Sequence, residues 1–467
     1  MTERLGSCRL HHDAPSHHSA QRHHQLNTMQ PDEARARLMR MRKELRAALA
    51  LAVASCGVAG CGTTAVQTPQ EPQAQNTPVV ARGAALTEPA ADPRPYGAAD
   101  TAFGLDMLGA WCQADPQANL VLSPSSLASG LGMAYLGARG STAQAMASVL
   151  HLPATTAGSA LEAGLQARSS ALRRLDGTGV TVDASDQVWA DPSLTTLRSY
   201  LNAVATGYDA GVAKVPLLRD PSQATQEINQ AIAAATRGQI PQLLSPSSLQ
   251  NIGWILTDAL YLKADWATPF QANQTSPGPF TTASGRRVSA QFMKGGQFAA
   301  ASAGGWTAVW LPYRGGRLAM MALLPPANSG GCAMPAANQL GALASTLAAG
   351  GATRAIELPK VSIRDKISMR GLLTELGMGV AFTGAADFAG LSPQACCIGL
   401  VEQAATLRVG EQGTVATAAT AVGVMPAAAQ AAVPPPIRFD RPYLMVVTDA
   451  ATGEPLIMAR VTDPAAP

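Results

Sequence analysis

The stretch EQGTVATAATAVGVMPAAAQAAVPPP, residues 411–436, carries the strongest signal of fold in the chain. Small and weakly polar side chains run through it, no charge follows Glu411, and three prolines close it. A segment this long reads as an exposed loop, and such loops are usually functional or disordered. Thr414, Ala416, Ala418 and Thr420 nevertheless alternate, so in an extended backbone they share one face and are small enough to enter a tight slot. The segment suits two states, a solvated loop and an inserted strand.

Outward from this stretch, the body of the chain from about Thr101 mixes two periods. Apolar spacing predicts helices over 102–111, 126–136 and 142–150. Residues 318–324 read as a buried strand ended by Pro325 and Pro326, and 444–447 and 456–461 as late strands about a turn at Thr452-Gly453. The class is α+β. Ser123 ends a short apolar run and, with Pro124 after it, suits the start of a helix.

With 467 residues, 47% hydrophobic and 14% charged, the chain can bury a large core without the composition of a membrane bundle. Its 34 basic and 31 acidic side chains leave a net charge of +3, too even for an electrostatic nucleic-acid binder. Six of the seven histidines, His11, His12, His17, His18, His23 and His24, precede the body, where only His151 remains. A Ser-His-Asp triad or a multi-histidine metal centre lacks its imidazoles, and no G-x-S-x-G, Walker A or Rossmann glycine pattern occurs. Ser123 and Ser126 have no candidate base, so no catalytic residue, metal site or cofactor is expected.

An ordered series of motifs resembles the serpin family from about Thr101 to Pro464. Asn119, Ser123-Pro124 and Ser126, then Gly137-Ala138 and Thr142, are similar to its shutter segment. Ile228-Asn229, the run from Asp258 to Lys263 with Trp266 and Phe270, and Leu358-Pro359-Lys360 continue the series through the breach. Glu411-Gln412-Gly413-Thr414 resembles the hinge, and Arg441-Pro442-Tyr443 with Asp463-Pro464 the C-terminal signature. Ala231 stands where many members carry Trp, Asp258 where Asn is usual, and Glu402-Gln403 where a His-Lys pair is common. The missing histidine implies a shutter held by other groups.

The resemblance implies helices packed on three β-sheets, the central one able to accept the reactive loop, about residues 411–437, as an extra strand. It also implies a monomeric suicide inhibitor: a serine or cysteine protease acylates the loop, the hinge at Glu411, Gly413, Thr414, Ala416, Ala418 and Thr420 inserts, and the protease is trapped. About 14 inserted residues at roughly 3.3 Å each span about 46 Å, close to the width of such a domain. Counting from Gly413 by the family habit puts the cleaved bond at Ala427-Ala428, with Met425 and Ala429 to Ala431 as alternatives. Small residues there suit elastase-like or subtilisin-like proteases. The alternative is a non-inhibitory surface lipoprotein that uses the same fold for binding or scaffolding.

Arg40, Arg42, Lys43 and Arg46 precede an apolar run over 47–54, and Val58-Ala59-Gly60-Cys61 follows. This reads as a lipoprotein signal over 39–60, with Cys61 the lipidated first residue of an exported, membrane-anchored protein; the run falls short of the roughly 20 residues a spanning helix needs. Residues 1–38 form a polar, histidine-rich tail, and translation is expected to start at Met29, Met39 or Met41. Residues 61–100, rich in Pro and Gln, read as a tether to the domain at 101–467. Spacing leaves Cys112, Cys332, Cys396 and Cys397 unassigned, although neighbours such as Cys396 and Cys397 do not easily bridge each other.

Overall fold

The computed structural model describes residues 78–466 except 155–157, 185–186, 328 and 415–433. The first half contains β1 (Val79–Ala81), α1 (Arg94–Ala114), β2 (Leu120–Leu122), α2 (Pro124–Gly137), α3 (Gly140–Val149), α4 (Ser159–Arg173), β3 (Val180–Ala184), β4 (Gln187–Ala190), α5 (Arg198–Tyr208), β5 (Val212–Lys214) and α6 (Pro221–Ala235). Next come β6 (Trp254–Asp265), β7 (Ser276–Thr281), β8 (Arg287–Ala303), β9 (Trp306–Pro312), β10 (Leu318–Leu324), α7 (Ala337–Ala348), β11 (Ala352–Pro359) and β12 (Val361–Ser368). The chain ends with α8 (Arg370–Leu373), β13 (Val401–Gly410), β14 (Gly413–Thr414), β15 (Ile437–Arg438), β16 (Tyr443–Asp449) and β17 (Pro455–Val461).

Among the described residues the strands form two sheets. The first runs β1-β5-β4-β6-β14-β13-β12, with β3 also on β6; the second runs β15-β11-β8-β9-β10-β16-β17-β2, with β7 on β8. Two of the three sheets implied by the resemblance are joined, because the 17 residues of β8 are long enough to serve both. A bulge shifts the register near Gly295 and Gly296, whose positive φ lets the strand bend there.

Burial explains the strand patterns. Strand β10 is apolar throughout because both of its faces are covered: Met320 and Ala322 face the core between the sheets, Met321 and Leu323 the core under α1, α2 and α7. The first sheet is sandwiched as well. Leu262, Ala264, Ala405, Leu407 and Val409 point inward to the second sheet, while Ala259 and Ala404 meet Ile228 and Ile232 of α6 on the outer face. The disulfide Cys112–Cys332 ties α1 to the segment before α7 across 220 residues of chain and leaves Cys396 and Cys397 as thiols. Disulfides typically stabilise a fold by about 2–4 kcal/mol.

The expected tether over 61–100 needs correction at its far end. Val79–Ala81 pairs with β5 as an edge strand, and α1 starts at Arg94 with Tyr96 and Ala99 buried. Prolines made this stretch look unstructured, yet Pro93 and Pro95 occupy the cap and first turn of α1, where a missing N–H costs nothing. Residues 1–77 lie outside the described residues, and with them the histidine-rich tail, the signal over 39–60 and Cys61. No helix among the described residues is long and apolar enough to cross a membrane.

Candidate functional site

The seam between β6 and β13 has two unlike ends. At one end residues 256–259 of β6 pair directly, in parallel, with 401–404 of β13. At the other, β13 turns at Glu411-Gln412 and comes back as β14, which lies between the two strands: Gly413 pairs with Gly410 and Asp265, Thr414 with Val409 and Ala264. Between these ends, residues 260–263 and 405–408 face each other across a gap that no described strand fills. Among the described residues the central sheet thus leaves a slot four residues long.

The β14 end is pinned by Trp266. Its ring stacks on Tyr313 with centroids 4.4 Å apart, its indole N–H donates to the Gly410 carbonyl at 2.9 Å, and its backbone N–H donates to Gln412 at 2.8 Å. Gly413 cannot be replaced without moving backbone: φ is 151°, and a Cβ would lie 2.1 Å from the Ala264 carbonyl oxygen. Thr414 is buried and its hydroxyl shares a 2.5 Å hydrogen bond with Tyr313, whose phenol burial pushes up and keeps neutral. Glu411 pairs with Lys360 at 3.0 Å and accepts from the Thr275 hydroxyl at 3.0 Å. Partial burial opposes its charge, but the hydrogen bonds from Lys360 and Thr275 outweigh that and hold its carboxyl below the usual range.

The closed end is held by α2. Ser123 caps this helix, its hydroxyl accepting from the Ser126 N–H at 3.4 Å. Gln403 of β13, 2% exposed, grips the same residue from the sheet: its Oε1 accepts from Ser123 N at 3.2 Å and its Nε2 donates to Ser123 O at 3.1 Å. An amide, with one donor group and one acceptor, can hold both backbone groups of Ser123 at once. Of the Glu402-Gln403 pair, only Gln403 faces the shutter; Glu402 is half-buried on the other face.

Beneath this contact lies a buried ionic cluster that the sequence reading missed. Arg168 of α4, 2% exposed, donates to Ser125 O at 2.5 Å and Ser129 Oγ at 2.7 Å on α2, and to Asp100 Oδ2 at 2.6 Å, while Glu454 Oε1 lies 3.0 Å away. Burial pushes the Glu454 carboxyl well above its ordinary range, against the pull of Arg168. The cluster fixes the first turns of α2. A signal existed, because Arg168 sits in the apolar stripe Leu161, Leu165 and Leu172 of α4, where a cation needs a buried partner.

The sequence candidates therefore separate into two groups. Trp266, Glu411, Gly413 and Thr414 converge at the β14 end, Ser123 and Ser126 at the closed end. Ala416, Ala418, Thr420, Met425, Ala427, Ala428 and Ala431 lie outside the described residues. His151 pairs with Asp106 at 2.7 Å.

The family model "Serpin (serine protease inhibitor)" matches residues 98–464. An uncharacterized serpin-like protein of Thermococcus kodakarensis is 30% identical over 359 residues, covering 74% of this chain and 81% of its own. The leukocyte elastase inhibitor of Bos taurus is 26% identical over 79% of this chain and 99% of its own. Among solved structures, the thermophilic serpin tengpin in its native state superposes with a TM-score of 0.69 at 21% identity, covering 82% of this chain and 97% of that one. Uncleaved ovalbumin gives 0.67 at 24% identity over 79% and 99%.

Proposed function

Since this chain belongs to the serpin (serine protease inhibitor) family, we propose that it traps serine proteases by being cleaved within residues 411–437 and inserting the freed hinge into the slot between β6 and β13. The observation that carries this reading is β14. Two hinge residues already occupy the place of an inserted strand, and their pairing defines a register. Continued by the pleat, that register would set Ala416 between Leu262 and Leu407 and Ala418 between Leu260 and Ala405, on the inward face where Thr414 is buried. Thr417 would meet Thr406, whose buried hydroxyl has no hydrogen-bond partner among the described residues.

Four residues fill the gap; a longer insertion must part the direct pairing of 256–259 with 401–404 and free Gln403 from Ser123. The small side chains around Ala427-Ala428, and the absence of Lys or Arg between Glu411 and Ile437, favour an elastase-like or subtilisin-like target. Similarity to a leukocyte elastase inhibitor supports the same choice. The domain works as a monomer on a lipid anchor at Cys61.

Mixing the protein with pancreatic elastase, subtilisin and trypsin and running denaturing gels tests the proposal. A covalent band with elastase or subtilisin, together with a released C-terminal peptide whose mass starts at Ala428, is expected. Clean cleavage without such a band would overturn trapping and favour the scaffolding alternative.

A further inference from the structure

We infer that Cys396 and Cys397 form a dithiol site for a trivalent thiophilic centre of the arsenical class. The two thiols lie 3.1 Å apart, Cys396 exposed and Cys397 half-buried. They are presented by a fixed loop: Gln394 N donates to Ser392 Oγ at 3.1 Å, Thr195 N donates to Gln394 Oε1 at 2.8 Å, and Ile398 N donates to Ala381 O at 2.9 Å. The other two cysteines of the body are bonded to each other, so this pair has no alternative partner among the described residues.

Closure to a disulfide is disfavoured, since consecutive Cα atoms are about 3.8 Å apart and unstrained disulfides want about 4.4–6.8 Å. Chelation needs no such contraction. With metal–sulfur bonds of about 2.3 Å, a 3.1 Å bite closes an angle of about 85° at the bound atom. That is narrow for tetrahedral zinc and close to the near-right angles of pyramidal arsenic(III). Zinc would also want four ligands, and no group of three or more His, Cys, Asp and Glu able to hold a metal occurs among the described residues.

An aryl arsenoxide, with its As=O group, reacts without redox change: two S–H bonds and the arsenic–oxygen bond break, two As–S bonds form, and the oxygen leaves as water with both thiol protons. Burial, with the hydrogen bond to Cys396, pushes the Cys397 thiol up to about 11, so Cys397 brings its own proton to the water that leaves.

The test uses the full chain and phenylarsine oxide, read by intact mass and by peptide mapping, which separates residues 396–397 from Cys8, Cys56 and Cys61. One adduct on the 396–397 peptide is expected, removed by 2,3-dimercaptopropanol but resistant to excess 2-mercaptoethanol. Cys396→Ser and Cys397→Ser should each weaken it by about 100-fold or more, the usual loss when a chelate becomes a single bond. An unmodified 396–397 peptide, an adduct that the monothiol strips, or one indifferent to either substitution would overturn the site. None of these readouts depends on protease trapping.

Discussion

The two ends of the seam between β6 and β13 are built on different physics. The β14 end combines one pair near the surface, Lys360–Glu411, with a buried clasp of Trp266 on the turn, and two residues of a new strand are already in place, so that insertion there has begun. The closed end is held by polar contacts almost wholly out of water, Gln403 on Ser123 and Arg168 on Ser125 and Ser129. Exposed pairs contribute little and can break at small cost, whereas a buried polar group that loses its partner carries a full desolvation penalty. One end is suited to start insertion and the other to resist it.

The largest expected effect breaks the β14 end. Thr414→Arg places a cation where the hydroxyl now meets Tyr313 in a site 1% exposed, and an unpaired buried charge is far costlier than any contact it replaces. Denaturing gels should show loss of the covalent protease complex with loop cleavage retained, while Thr414→Val, of similar shape, keeps the complex. A trapped protease in the Arg variant would mean that Thr414 is not part of the inserting hinge.

Next in size is the strut under the closed end. Arg168→Met leaves Asp100 and Glu454 buried without their cation, and chemical denaturation should show a loss of about 3–5 kcal/mol. The triple change Arg168→Met, Asp100→Leu and Glu454→Met removes the cation and both carboxyls together and should recover most of that loss. If the single change costs no more than the triple, the cluster is not what holds α2.

Gln403→Ala is smaller. It strips the Ser123 N–H and carbonyl of their partner, a loss of about 1–3 kcal/mol. Because those contacts must break for the sheet to open, spontaneous conversion to an inserted form on mild heating should set in at lower temperature than in the wild type. An unchanged onset would remove the amide from the lock.

Local signals were legible in the sequence, and pairwise ones were not. Residues 318–324 form β10 as predicted because a strand buried on both faces is apolar at every position, and Ser123 caps α2 because the cap and its helix are contiguous. The hinge was visible in the alternation from Thr414, again a local pattern. What Gln403 does depends on Ser123, 280 residues away, and the Cys112–Cys332 bond spans 220, so neither could be read from neighbouring residues. The entry of Gly413 and Thr414 into the sheet is a balance between the Trp266 clasp and the direct pairing lower down, and it too rests on distant partners. Strand β1 was hidden by the prolines around it.

The smallest effect concerns a carboxyl that links the two sheets beside the seam. Asp365 of β12, half-buried, accepts from the Val121 N–H of β2 at 2.9 Å. Burial pushes its pKa up to about 6, with the Val121 hydrogen bond pulling the other way. Between the ordinary value of 3.8 and about 6, the folded chain keeps a proton that the unfolded chain has released, so this group makes stability fall as pH rises through that window. Asp365→Asn keeps an acceptor for Val121 and has no proton to lose. The variant should match the wild type near pH 3.5 and melt slightly higher at pH 7.5, with the gap growing between those limits. A gap that stays constant across a pH series of thermal midpoints would show that charge at Asp365 is not what strains this junction, and would leave the difference between the two ends to Gln403 and Arg168.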